Sequence, residues 1–249
     1  MSRRWYWAAE VDLAAGRVRL DPEETAHLLK VTRHRAGDVI EAIDGRGGRY
    51  TVELRGRATA GGGRALEAEI LTVHPPAPAP PPLVLAAPLI PWPRLEALVD
   101  GAIQLGVTQL CLWEAERARP AGPWSPLRSA RLLRIARAAT AQSLGSYALE
   151  IHGPRPLAEL LRTWSGMSVW VAHGPAPAGE SAAPGSPPPP SGGRGLVIGP
   201  EGGLTDREVE LCLAAGARCL TLGPRRLRTE VAAIAGLAAL NAGEPGWRR

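Results

Sequence analysis

Short runs of apolar residues, set on alternate positions or in β-branched and aromatic clusters, mark the first third of the chain. They predict strands at Arg3–Trp7, Arg17–Leu20, Val39–Asp44, Arg49–Leu54 and Leu66–Val73, with glycine turns at Gly45–Gly48 and Gly61–Gly63 between some of them. One helical pattern interrupts the strands. Asp21 reads as its N-cap, Pro22 as its first residue and Glu24 as the acid that completes a capping box ahead of "TAHLLKV". A small closed barrel is the natural way to pair this many short strands.

The pattern changes after "HPPAPAPPP". Solid apolar runs ("LVLAAPL", "TQLCLW", "SVWVA", "GLVI", "RCLTL") now alternate with helical stretches at Pro93–Leu105, Leu127–Ser143, Pro156–Trp164, Asp206–Ala215 and Thr229–Ala242. Strands that are apolar at every position are buried on both faces. The alternation therefore predicts a parallel sheet covered by helices. The expected organisation is a barrel over 1–73, a stiff proline linker over 74–82 and an α/β domain over 83–249. A second proline-rich stretch, with almost no apolar bulk, is read as a disordered insert at 174–194 inside that domain, because the strands on either side of it need each other.

Composition narrows the partners. The net charge is +5, and Lys30 is the only lysine, so the basic residues are almost all arginine. Arginine forks suit phosphates and base edges. A genome biased towards arginine codons would give the same count, as the many Ala, Gly and Pro residues suggest. Cys111, Cys212 and Cys219 make no C-x-x-C pair, which argues against a disulfide framework or a zinc site. No run approaches the roughly 20 apolar residues of a membrane span, and "MSRRWYWAAEVDL" is not a secretory signal. The expected location is the cytoplasm.

Candidate chemistry gathers where predicted strands end in glycine turns. "IGPEGG" (Ile198–Gly203) and "LGPRRLRTE" (Leu222–Glu230) both sit at carboxyl ends of parallel strands, the edge where open α/β sheets bind ligands. Glycine there permits positive φ and close backbone approach. Neither turn has dinucleotide or P-loop spacing, and Glu201 would repel a pyrophosphate while tolerating a cationic sulfonium.

Taken together these motifs resemble the SPOUT superfamily of S-adenosylmethionine-dependent RNA methyltransferases, and within it the small-subunit ribosomal RNA uridine-N3 methyltransferases. The resemblance rests on Ile198–Leu204 with Thr205 and Glu208, and on Leu222, Gly223, Arg225, Leu227, Arg228, Thr229, Glu230 and Ala232. It extends to "HLLKVTRHRAGD" (His27–Asp38), "DGRGGRY" (Asp44–Tyr50), "QLGV" (Gln104–Val107) and "AQS" (Ala141–Ser143). Departures fall in the middle region. Gly101 and Gln104 replace a charged pair, Ala141 and Gly145 stand in a segment that usually carries Glu and Arg, and Val231 stands where Thr is usual.

The resemblance implies a PUA-like RNA-binding barrel followed by a trefoil-knotted methyltransferase domain, working as a homodimer without metal. It implies that S-adenosylmethionine lies against Ala172, His173, Ile198, Gly199, Pro200, Glu201, Gly202, Gly203, Leu222, Gly223, Arg226, Leu227, Arg228 and Thr229. The partner it implies is small-subunit ribosomal RNA or the assembled 30S particle. Methylating uracil N3 places negative charge on O2 and O4. Arg228 is the candidate to stabilise that charge, and Glu230 to orient Arg228 or take the proton. Arg33 and Arg35 are candidates for gripping RNA, and the arginines at 128, 131, 134 and 137 either track RNA or form a solvated face. Two rivals stand beside this reading. One is a non-catalytic or altered-specificity RNA-binding relative, motivated by the altered middle region. The other is a nucleotide-binding enzyme that uses the glycine turns for phosphate.

Overall fold

The computed structural model describes residues 4–57, 65–119, 122–174 and 192–242. Most of the proline-rich insert and the terminus with Trp247 lie outside the described residues. The chain divides into two compact units, one of residues 1–79 with Arg137–Ala148, the other of residues 80–136 with 149–249.

The first unit is a closed barrel of β1 (Tyr6–Asp12), β2 (Arg17–Leu20), β3 (Val39–Ile43), β4 (Arg49–Arg57) and β5 (Leu66–Val73), in the order β1-β2-β5-β4-β3. All pairs are antiparallel except β1 with β3, which closes the barrel through Tyr6↔Ala42 and Trp7↔Ile43. Alternation does the folding here. Val18, Leu20, Ile40, Ala42, Val52, Leu54, Leu66 and Ala68 are buried in the barrel, and alternate residues such as Arg17, Arg19, Glu41 and Glu53 are more exposed.

Helix α1 (Pro22–His27) starts as expected, with the Asp21 carboxylate accepting the Glu23 N–H at 2.9 Å. The expected capping box does not form. Glu24 turns inwards and takes the Arg4 guanidinium on both carboxylate oxygens, at 2.9 and 3.0 Å. Burial pushes the Glu24 carboxyl above its usual range, and Arg4 opposes the shift.

One segment departs from a strictly linear division, since residues 137–148 belong with the barrel. Ala141 is fully buried against Trp7 and Ile43, the Trp5 N–H donates to Ala141 O, and the Trp7 indole N–H donates to Arg137 O at 2.8 Å. The turn at Asp44–Gly48 receives the end of the segment. Gly47 N–H donates to Ser146 O, Ala148 N–H donates to Gly45 O, and the Tyr147 hydroxyl donates to Ala77 O at 2.8 Å. Asp44 organises that turn by accepting from Arg46 N–H, Gly48 N–H and the Tyr50 hydroxyl.

The second unit is a six-stranded, all-parallel sheet of β6 (Leu83–Pro88), β7 (Gln109–Trp113), β8 (Glu150–Arg155), β9 (Ser168–Ala172), β10 (Arg194–Ile198) and β11 (Arg218–Leu220). Its order is β11-β9-β10-β6-β7-β8. Every residue of β6 and β10 is buried, as strands covered on both faces require. The helices are α2 (Trp92–Gln104), α3 (Pro126–Gln142, whose residues from Arg137 on belong to the first unit), α4 (Leu157–Thr163), α5 (Asp206–Ala214) and α6 (Thr229–Asn241). Strand β8 has no counterpart among the sequence-predicted strands. It lies at the sheet edge, only partly buried, and carries Gly153 and Pro154, which read as a turn.

Candidate functional site: a cavity at the carboxyl ends of three strands

The sheet order places the ends of β9, β10 and β11 side by side, and a cavity of about 810 Å³ opens there. Ala172, His173 and Gly174 line it from β9, Ile198–Leu204 from β10, and Leu220–Leu227 with Thr229 and Ala232 from β11 and the start of α6. The two glycine turns singled out in the sequence thus line one cavity. Of the residues expected to hold a cofactor, all but Arg228 line this cavity.

Each part of the β10 turn has an identifiable hold. The Thr229 hydroxyl, on a side chain only 2% exposed, donates to Gly199 O at 3.1 Å and so ties the two turns together. Gly203 N–H donates to Pro200 O at 2.8 Å. Leu204 drops into the core, and α5 then begins with a true capping box between Thr205 and Glu208. Glu201, expected from the sequence to repel a pyrophosphate and tolerate a sulfonium, forms an ion pair with Arg94 in the first turn of α2. Its charge is therefore met by the protein rather than left bare for a ligand.

The glycines divide by what lies beside them. A Cβ on Gly202 would fall 2.9 Å from Arg117 Cβ and 3.0 Å from Arg117 O, so the missing side chain makes room for protein backbone. Gly203 and Gly223 have φ of +76° and +92° with nothing within 4 Å of the absent Cβ. Those two are where the chain needs the left-handed region.

Arg228 is the N-cap of α6. Its carbonyl accepts from Ala232 N–H at 2.8 Å, and its side chain is exposed and lies outside the lining residues. Glu230 is also outside the lining, and its Oε2 is buried without a hydrogen bond. Among the described lining residues the titratable side chains are His173, Glu201, Arg225 and Arg226. His173, which sequence reasoning placed only with the cofactor, is the one imidazole among them. The buried thiols are inert there. Desolvation pushes Cys111 up to about 11 and Cys212 up to about 12. No cluster of metal-ligating side chains occurs among the described residues, and no described helix is long and apolar enough to cross a membrane.

In the barrel, Arg33 and Arg35 are both exposed. A five-residue π-helical stretch, Leu28–Thr32, ends at Arg33, which adopts φ of +57°. His34 N–H then closes back on Leu28 O at 3.0 Å, and its ring meets Tyr6 edge-on. The arginines of α3 are less free than a row facing RNA would be. Arg128 lies over Trp92, Arg131 pairs with Glu96, and Arg137 pairs with Asp21 while lying over Trp7.

Comparison with known proteins settles the family. A model described as the RNA methyltransferase domain matches residues 77–241, and one described as the RNA methyltransferase PUA domain matches residues 20–57. The chain belongs to the RNA methyltransferase family. Two similar members are proteins named ribosomal RNA small subunit methyltransferase E. The one from Mycobacterium tuberculosis is 29% identical over 242 residues, covering 92% of this chain and 87% of that one. The one from Synechocystis is 29% identical over 240 residues, covering 90% and 73%. A solved RNA methyltransferase of the same name, from Neisseria gonorrhoeae and bound to S-adenosyl methionine, superposes with a TM-score of 0.81 at 26% identity, covering 96% and 97% of the two chains. The barrel and parallel sheet of this family member are therefore those expected from its motifs.

Proposed function

We propose that this RNA methyltransferase family member transfers a methyl group from S-adenosylmethionine to N3 of a uridine in small-subunit ribosomal RNA, acting in the cytoplasm as a knotted homodimer. The observation that supports it most is the single cavity into which both glycine turns open. The cavity suits the cofactor. Its volume is within the roughly 300–1,000 Å³ of small-molecule sites. Its wall offers main-chain groups from two turns, and Gly203 and Gly223 leave open space where side chains would stand.

When bound, S-adenosylmethionine supplies an electrophilic methyl carbon. The chain's task is to present uracil with N3 deprotonated and aligned. Of the side chains that line the cavity, the His173 imidazole is the candidate to accept the N3 proton. Arg228 is the guanidinium assigned to the charge that grows on O2 and O4, and Glu230 is assigned to orient Arg228 or take the proton. The barrel, through Arg33 and Arg35, carries the phosphate grip that brings RNA to the enzyme.

The rival reading of a relative that has lost its chemistry drew on the altered middle region. Three of those positions have local roles in the fold. Gly101 leaves room for Ile234 of α6, Gln104 donates to the Asp100 carboxylate, and Ala141 is buried in the barrel unit. None lines the cavity, which supports a cofactor site that these substitutions leave complete.

The test is methylation of small-subunit RNA by the purified protein, mapped by mass spectrometry and by reverse transcription. An N3-methyl group removes the imino proton used in base pairing, so a single modified uridine that stops the transcriptase is the expected result. Methylation at C5 or on a 2′-hydroxyl, or no methylation of naked RNA and 30S particles alike, would overturn it.

A further inference from the structure

The glycine turn after β10 is gripped from outside the cavity by residues 114–119, the segment that follows β7. Arg117 Nη1–H donates to Leu204 O at 3.1 Å. The Arg117 backbone occupies the space that a side chain at residue 202 would take. One residue earlier, Glu116 N–H donates to Glu208 Oε1 at 2.9 Å, while Glu208 Oε2 accepts the Thr205 N–H at 2.7 Å. Glu208 is only 4% exposed, so one buried carboxylate joins the segment to the first turn of α5. Neither Glu116 nor Arg117 lines the cavity.

We propose that Arg117 is a positioning residue, which sets the shape of the Gly199–Leu204 turn for the cofactor without touching it. The idea rests on the reading of the cavity as an S-adenosylmethionine site. Its physical basis is a division of labour along the turn. Thr229 holds the first carbonyl, at Gly199, and Arg117 holds the last, at Leu204. Between them Gly202 lies against the Arg117 main chain, so the turn is fixed at both ends and backed in the middle. Arg117 itself is exposed. An exposed guanidinium adds little to global stability, which separates the proposed role from a merely structural one. Removing it leaves the fold almost untouched and lets the turn relax away from the shape the ligand needs.

The experiment measures the S-adenosylmethionine dissociation constant by calorimetry, melting temperature and RNA affinity for the wild type, Arg117→Ala and Arg117→Lys. Arg117→Ala is expected to weaken cofactor binding about tenfold, in line with losing a hydrogen bond from a charged donor. RNA affinity should stay the same and the melting temperature nearly so. Arg117→Lys keeps a charged donor and should recover part of the lost affinity. Wild-type cofactor affinity in Arg117→Ala overturns the proposal and leaves the cofactor reading standing. A loss of affinity that appears only with a matching fall in melting temperature assigns Arg117 to folding and overturns it as well. A wild type that binds no S-adenosylmethionine overturns the cofactor reading and takes the proposal with it.

Discussion

Two glycine-rich turns, one in each unit, look interchangeable in the sequence and do opposite things. In Asp44–Gly48 the space beside every glycine is filled by the chain itself. A Cβ on Gly45 would strike the Trp7 ring at 2.4 Å, one on Gly47 the Tyr147 hydroxyl at 2.5 Å, and one on Gly48 the Asp44 carboxylate at 2.3 Å. Burial, helped by that carboxylate, pushes the Tyr50 phenol above its usual range, as expected of a closed polar knot of side chains. In Gly199–Gly203 the protein fills only one side. Leu204 and Arg117 back Gly199 and Gly202, whereas Gly203, like Gly223 of the other turn, has open space beside it. Glycine content is thus a sign of close approach, and only the fold tells whether protein or ligand makes that approach.

The largest effect that would break this contrast comes from adding one methyl group to each turn. Gly47→Ala meets Tyr147 and Ala77 and also sits at φ of +99°. It should cost about 2–4 kcal/mol in the barrel unit, with the cofactor titration of the surviving folded protein unchanged. Gly203→Ala meets nothing and bears only the left-handed strain of about 1–2 kcal/mol, yet it should cut cofactor affinity because the new methyl group stands where the cavity wall is bare. Thermal melts and calorimetry on both variants check the crossover. Equal loss of cofactor affinity in the two would mean that the turns do not divide the work.

The sequence foretold the strong elements and the two turns for physical reasons that also explain its failures. Solid apolar runs such as Leu83–Pro88 and "GLVI" are wholly buried, so their pattern had a single cause, whereas Arg194, read as the end of the insert, is the buried first residue of its strand. The partly buried edge strand Glu150–Arg155 had no such pattern to find. Glu24 stands at the capping-box position, but Arg4, twenty residues away in sequence, draws it elsewhere. The site was legible where its residues are neighbours in the chain. Arg94 opposite Glu201 and Arg117 behind Gly202 were not, because no local spacing connects them. The departure from family pattern at Ala141 is likewise readable only with Trp7 and Ile43 packed on it.

A middle-sized effect sharpens the contrast from the open turn. Thr229→Val keeps the shape of the side chain and removes its hydroxyl, so Gly199 O loses the hydrogen bond that joins the two cavity turns. The cost of an unpaired, partly buried carbonyl is about 1–3 kcal/mol. Part of it should appear as a melting temperature lower by a few degrees, and part as cofactor affinity reduced severalfold. Thr229→Ser should restore both. In the closed turn the matching change is Tyr50→Phe, which removes a donor to Asp44 and should lower stability while leaving the cofactor constant alone.

The smallest expected effect tests whether the barrel, too, keeps strain where it meets a ligand. Arg33 sits at φ of +57°, a conformation that glycine adopts freely and arginine does not. Arg35, two residues on, is equally exposed, has no such backbone strain, and its N–H donates to the Asp38 carboxylate at 2.8 Å. If the Arg33 side chain is kept for RNA, its place in the turn is held at a cost to the fold. Arg33→Gly should then leave the barrel as stable as before or up to about 1 kcal/mol more stable, the relief of left-handed strain being offset by the greater freedom of glycine in the unfolded chain. The same variant should weaken RNA binding and make its salt dependence shallower by just under one unit of slope, the share of one phosphate contact. Arg35→Ala should show the same loss of RNA affinity with no gain in stability. A barrel destabilised by Arg33→Gly, with RNA binding untouched, would instead make Arg33 part of the fold, its φ secured by contacts of its own, and would leave the phosphate grip to Arg35 and the remaining arginines of the barrel.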